Sequence, residues 1–478
     1  MTRLQKVLSI LMVNCLFTSA SVFATASPNQ TDDTTPILSE ADLPFTIKIE
    51  QANFQLGVGN HSGFIGTFKG LWVIVAGSTI GLHGFGPDPF PPGFQNTTIY
   101  VVNPSTGVTY SRSLLDPSSG LTTQQIDTLS TISPQGYQEG NTLYLTGGYG
   151  KDSLTGLFLT QPVLTAINLP GIVDWVTQPG TTNQSVAGNI RQLTDPLFQV
   201  TGGEMYKVGD YTQLVFGQNF SGVYDPNTSN GIYTEQVRLF KIIDAGGNLA
   251  VKPYNSKPAI PAPVYRRRDL NIVPVLYNNN NLLNYGLVAY SGVFTEDGGV
   301  WTVPVLIDDQ GSPSMADPLL ESTFKQGMNN YVCPVAGLYS KNTSSMYDIF
   351  FGGISYGYYD NGVFTTDEED PFINQVTTVK MDKNGSFSQY LMNNQYPSIL
   401  SSNTQADYLF GAGAYFIPNN ISQYPNKVIN LDGIRQPTVI GYIVGGIQSE
   451  LPNLNDPSTQ SLASRYVFKV TLIPKTPR

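Results

Sequence analysis

Few residues in this chain have side chains arranged for chemistry. Arg266-Arg267-Arg268-Asp269 places three of the nine arginines that follow residue 26 side by side. Arginine offers a planar fork that matches carboxylate or phosphate, so the run could hold an anion. It could equally be a set of ion pairs tying strands together. In an extended segment Arg266 and Arg268 face one way and Arg267 the other. The expectation is that Arg267 points into an open site and its neighbours are paired. There are two histidines, His61 and His83. Two imidazoles and a tyrosine could bind copper or zinc, although a full ligand set needs more. Asp360, Asp367, Glu368, Glu369 and Asp370 fall within eleven residues. Hard oxygen ligands suit Ca2+, with Asp360, Asp367, Glu369 and Asp370 as its candidate ligands. Their spacing departs from the regular calcium loop, and such a run is also what a solvated surface looks like. The sequence contains no nucleophile elbow, phosphate loop or CxxC. Paired glycosidase carboxylates are defined by a distance, so sequence alone does not select them.

The elements that must carry these residues repeat. Short apolar strands run into glycine at WVIVAGS (72–78), LYLTGGYG (143–150), QLVFGQ (213–218), LVAYSG (287–292), IFFGG (349–353) and YIVGG (442–446). Their anchoring glycines, Gly77, Gly147, Gly217, Gly292, Gly352 and Gly445, are 70, 70, 75, 60 and 93 residues apart. Six recurrences indicate one supersecondary unit used repeatedly. An inner strand precedes each anchor strand (63–68, 136–138, 198–206, 270–277, 331–339 and 408–417). A third strand follows it (98–102, 163–167, 235–242, 302–307, 375–381 and 465–472). Turns rich in Gly, Asn and Asp lead to a fourth.

Four antiparallel strands used six times make an all-β fold, a six-bladed β-propeller of four-stranded antiparallel blades. The last repeat lacks its fourth strand. Residues 45–54 (FTIKIEQANF) alternate apolar and polar, and the expectation is that this N-terminal strand closes the ring.

Composition agrees with an all-β chain: 11% aromatic and only 13% charged, with 47 Gly and 33 Pro. Residues 1–26 read as a signal peptide, with Arg3 and Lys6, an apolar stretch too short to span a bilayer, and Ala24-Thr25-Ala26. A flexible leader (27–43), the propeller (44–474) and a C-terminal tail (475–478) follow. The expected location is secreted or periplasmic, with no membrane span. Removal of Arg3 and Lys6 moves the net charge from −10 to −12, which argues against nucleic acid as a partner. Cys333 is then the sole cysteine, in an apolar strand, and is expected to be a small buried side chain.

The doubled glycines after apolar strands resemble the kelch repeat over residues 45–474. Further stretches resemble a group of secreted bacterial kelch-like proteins: GLHGF (81–85), LTGGYG (145–150), LVFGQNFSGVY (214–224), YTEQVRLF (233–240), RRRDLNIVP (266–274) and FFGGISYGYY (350–359). The resemblance implies the propeller fold and no particular activity. Kelch propellers include copper oxidases, but those need a Cys–Tyr crosslink that Cys333, inside a strand, does not suit.

The long second-to-third-strand loops share one face with the inner-strand lead-ins, and such loops are where binding residues concentrate. Arg267, His61, His83, Tyr149, Tyr224, Tyr356 and Tyr358 are the candidate ligand-binding residues there. The expected role is a monomeric binding or interaction module for a glycan, peptide or protein. The alternative is an extracytoplasmic enzyme, a glycan hydrolase or lyase or a metal oxidase, with its site at the channel mouth.

Overall fold

The computed structural model describes residues 35–84, 89–91, 93–178, 185–223, 231–279 and 282–475. The proposed signal segment 1–26 and Tyr224 lie outside the described residues. The chain is all-β, with its sheets set around a propeller ring. Five sheets follow the four-stranded antiparallel plan, in the order inner, second, third, outer. They begin at inner strands Phe64–Phe68, Gln135–Glu139, Glu204–Val208, Asn271–Asn279 and, in the last sheet of the chain, Ala414–Pro418.

The plan of six equal blades needs one correction. The remaining sheet, built on Val335–Ser340, carries six strands. Leu38–Ser39 pairs parallel with its outer strand Phe387–Leu391, and Ile429–Asn430 pairs parallel with its inner strand. Within the segment expected as a leader, Leu38–Ser39 is a strand and Glu40–Asp42 a 3-10 turn. The buried Glu40 carboxylate fixes that segment, accepting from Thr46 Oγ1 (2.8 Å), Asn393 N (2.9 Å) and Asn393 Nδ2 (2.9 Å).

Each neighbouring pair of sheets encloses one apolar layer. Val73, Val101, Leu143 and Ile167 fill the layer between the first two sheets. Trp72, Ile74, Ile417 and Val444 join the last sheet back to the first. Closure uses the N-terminal strand: Phe45–Gln51 lies antiparallel to Val467–Pro474. Its alternation buries Phe45, Ile47 and Ile49 and exposes Lys48, and each buried side chain contributes about 2 kcal/mol of apolar transfer.

The recurring glycine has a conformational cause. Every second strand ends in two consecutive left-handed residues: Ala76-Gly77, Gly147-Gly148, Phe216-Gly217, Ser291-Gly292, Gly352-Gly353 and Gly445-Gly446. The second is always glycine, as positive φ and crowding require. A Cβ on Gly77 would stand 2.5 Å from His61 O, and one on Gly353 2.6 Å from Cys333 Cβ. The pair turns the strand end toward the next sheet, where Gly77 N donates to Thr131 O, Gly148 N to Val200 O, Gly217 N to Arg267 O, Gly353 N to Phe410 O, and Gly446 N to Asn60 O.

Two departures from the all-strand reading matter for the site. Four second-to-third loops are themselves hairpins, Tyr149–Lys151 with Phe158–Thr160 among them. The segment 419–436 folds back along the inner strands: Asn426 Nδ2 donates to Val275 O (3.2 Å), and Tyr424 packs edge-on against Tyr339 at 5.6 Å. That excursion lies at the channel end opposite the hairpins. The helix Leu169–Thr177, capped by Asn168, buries Leu169, Ile172, Trp175 and Val176 between the first two sheets.

Candidate functional site at the channel mouth

The mouth is built from six lead-in loops. Each has a left-handed residue shortly before its inner strand, Ser62, Ser133, Gly202, Asp269, Val332 and Gly413, and two of the loops add a second, Asn330 and Gly411. Backbone hydrogen bonds pass around the opening between these positions. Ser133 N donates to Ser62 O (2.6 Å), Asp269 N to Gly202 O (2.8 Å), Gly413 N to Val332 O (2.7 Å) and Ser62 N to Gly413 O (3.1 Å).

Two positions upstream in four of these loops, a side chain caps the carbonyl of the first left-handed residue ending the same sheet's second strand. Asn60 Nδ2 donates to Ala76 O (3.0 Å), Thr131 Oγ1 to Gly147 O (3.4 Å) and Asn330 Nδ2 to Gly352 O (2.9 Å). Arg267 fills this position in the fourth sheet, its Nη1 donating to Ser291 O and Val303 O, each at 3.3 Å. Its guanidinium lies 4.4 Å from the Trp301 ring centre and is 0% exposed. Burial pushes it down to about 9, still charged at neutrality. Arg267 therefore faces the interior, which corrects its expected place in the mouth. Alternation holds, but the capping position fixes which side is inside.

Arg266 and Arg268 take the other side. Arg266 stacks on Tyr233 at 3.8 Å, and Arg268 Nε donates to the Tyr233 hydroxyl (3.2 Å). Arg268 also pairs with Asp269 at 2.6 Å and lies 4.6 Å from the Phe294 ring centre. The Arg268 and Asp269 charges act on His83, so this loop reaches the same region. They act on Tyr331 as well, whose hydroxyl donates to Asp370 Oδ2 (3.4 Å). Burial pushes Asp370 up to about 7, and its Oδ1 has no partner among the described residues.

At the level where the inner strands begin, three polar side chains bond to the surrounding loops. Asn271 donates to Asn330 O and accepts from Cys333 N; Tyr415 accepts from Gly63 N and donates to Asn60 Oδ1 (3.3 Å). Gln135 donates to Ser133 O. Glu204 stands at this level with no hydrogen-bond partner among the described residues, partly reached by solvent. Desolvation pushes its carboxyl up to about 8. Its charge acts on Tyr206 beside it and on Tyr415 of the last sheet. Sequence reasoning missed Glu204; its signal was an acid at a position where two other repeats place Gln135 and Asn271.

The other candidates scatter. His61 is buried, with Nε2 donating to Gly81 O (3.2 Å) and Nδ1 accepting from the Ser62 hydroxyl (3.0 Å), so the fold occupies both nitrogens. Burial holds its imidazole down at about 4. His83 Nδ1 donates to Gly84 O at 2.8 Å. Tyr149 is buried in an aromatic cluster, with its hydroxyl donating to Gly222 O (2.7 Å). Tyr356 packs with Tyr331 near the mouth, and Tyr358 lies on the adjoining hairpin.

The four acids suggested for calcium do not assemble. Asp367 accepts from Glu369 N (2.9 Å) and Asn453 Nδ2 (3.0 Å), Asp370 turns to Tyr331, and Asp360 accepts from Asn361 (2.9 Å). Among the described residues, no three His, Cys, Asp or Glu side chains form a metal-sized group.

The sheets and their lead-in loops together define a β-propeller. No family model and no curated protein matches the chain. Among solved structures the chain is similar to one described as "Structure of YjhT", at 13% identity over 88% of this chain and 98% of that one, with a TM-score of 0.43. Among the described residues no helix is long and apolar enough to cross a membrane.

Proposed function

We propose that this chain is an exported, kelch-type propeller that binds the end of a glycan in its channel mouth. The six-stranded sheet counts as the sixth blade. The six left-handed pairs and six lead-in loops support that count, and the signal-like residues 1–26 support export. The observation that carries the ligand class is Glu204. A carboxyl with no protein partner among the described residues, its pKa pushed up to about 8 by desolvation, can both donate and accept, which suits a hydroxyl better than a cation. Tyr206 and Tyr415, on which its charge acts, add two hydroxyls near it.

Titration calorimetry against neutral, amino and uronic-acid oligosaccharides, with random-sequence peptides alongside, tests this reading. A saccharide should bind, Glu204→Leu should weaken it by about tenfold, and affinity should fall as pH rises through about 8. Binding only to peptides, or binding indifferent to Glu204→Leu, overturns it. A second reading, an enzyme acting on that glycan, draws on two carboxyls, Glu204 and Asp370, held near neutrality where general acids work best. Release of reducing ends would favour it.

A further inference from the structure

A separate cleft of about 560 Å³ opens between the first two sheets, and none of the mouth residues lines it. That volume is within the usual range for small-ligand sites, about 300–1,000 Å³. Phe90, Phe94 and Phe158 form its aromatic wall, with Leu115 and Ile126 as an aliphatic one. The walls come from four separate elements: the loop ending at residue 97, the segment after the strand Val108–Ser113 that carries Leu115, the helix Thr123–Leu129, and the hairpin carrying Lys151 and Phe158.

The polar groups decide the sign of the ligand. Asp127 accepts from both Ser153 N (2.8 Å) and Ser153 Oγ (2.6 Å). Gln95 bridges the elements, donating to Ser130 O (3.1 Å) and accepting from Lys151 N (3.0 Å). The Lys151 ammonium has no hydrogen bond or ion pair among the described residues and is the only cationic group lining the cleft. An uncommitted cation beside an aromatic wall fits a flat apolar body with one anionic end. We propose that this cleft is a binding site for a small aromatic carboxylate, independent of the channel mouth.

The probe is 2-naphthoate titrated into the full chain by fluorescence, beside the neutral 2-naphthylmethanol and the cationic 2-naphthylmethylamine. Naphthoate should bind saturably and at least about tenfold more tightly than the amine, as expected for one charge-assisted hydrogen bond. Lys151→Gln should erase that preference and leave the alcohol unchanged. Leu115→Ser should weaken all three probes, and Glu204→Leu should weaken none. Lys151 and Leu115 are both exposed, Leu115 by 62%, so neither substitution threatens the fold. Absence of saturable binding below millimolar probe, a preference for the amine, or indifference to Lys151→Gln overturns the proposal.

Discussion

Arg267 occupies a position where three other sheets place Asn60, Thr131 and Asn330, and it performs the same task with a longer arm. Its charge is buried without an acid; two carbonyls and the Trp301 face stand in for one. Removing the side chain leaves a void and an uncapped Ser291 carbonyl. Arg267→Ala should therefore cost about 3 kcal/mol in denaturant unfolding. A variant that melts like the parent would show the guanidinium to be dispensable. The inward direction of Arg267 was not legible from the run of arginines. Strand alternation divides side chains into two sets without saying which set meets the core, and neighbouring Arg266 and Arg268 have the same composition.

At the scale of elements, what could be read in advance follows from what each conformation demands. The left-handed pair needs glycine at its second position, so all six strand ends were visible. At the first position Ala76, Phe216 and Ser291 take positive φ without glycine, so only three pairs read as doubled. The two-residue strands Leu38–Ser39 and Ile429–Asn430 are too short to show any period, and their sheet was underestimated. Helix Leu169–Thr177 carried an Asn cap followed by proline, a start signal that a strand-dominated reading passed over. The acidic hairpin after Tyr356 is held by its own turn: Asp367 N donates to Tyr356 O (2.9 Å), and the Asp367 carboxylate secures Glu369 and Asn453. The melting temperature should accordingly be the same in millimolar calcium and in excess chelator. A rise with calcium that disappears in Asp367→Asn would show that the loop gathers around an ion.

Across the whole molecule, buried carboxyls set the response to pH. Asp348 is 0% exposed, accepts from the Tyr290 hydroxyl (2.6 Å) and is pushed by burial up to about 8. Glu204, pushed up to about 8, and Asp370, to about 7, are only partly buried and add to the same trend. Such acids keep their protons in the fold after losing them, near pH 4, in the unfolded chain. The unfolded state then binds fewer protons, and stability falls as pH rises from about 4 to 8. His61 acts in the opposite sense between about 4 and 6.5, where the unfolded imidazole is protonated and the buried one is not. Above pH 6.5 only the carboxyls remain, so the melting temperature should decline toward pH 8.5. Asp348→Asn should flatten that decline, and an unaltered slope would show that this carboxyl is already ionised in the fold.

The closing strand has a bearing on how the molecule comes into being. Phe45–Gln51 is made early, yet Val467–Pro474, its only sheet neighbour among the described residues, follows after all the intervening sheets. Throughout synthesis Phe45, Ile47 and Ile49 form an apolar ribbon with its hydrogen-bonding edge open, ready to join any other exposed strand. The four-stranded sheets built from consecutive strands can settle in turn as they emerge, but the ring cannot shut until Val467–Pro474 arrives. Over that interval the edge of Phe45–Gln51 stands open to mispairing, so slow or stalled synthesis before Val467 should raise the share of aggregated chain.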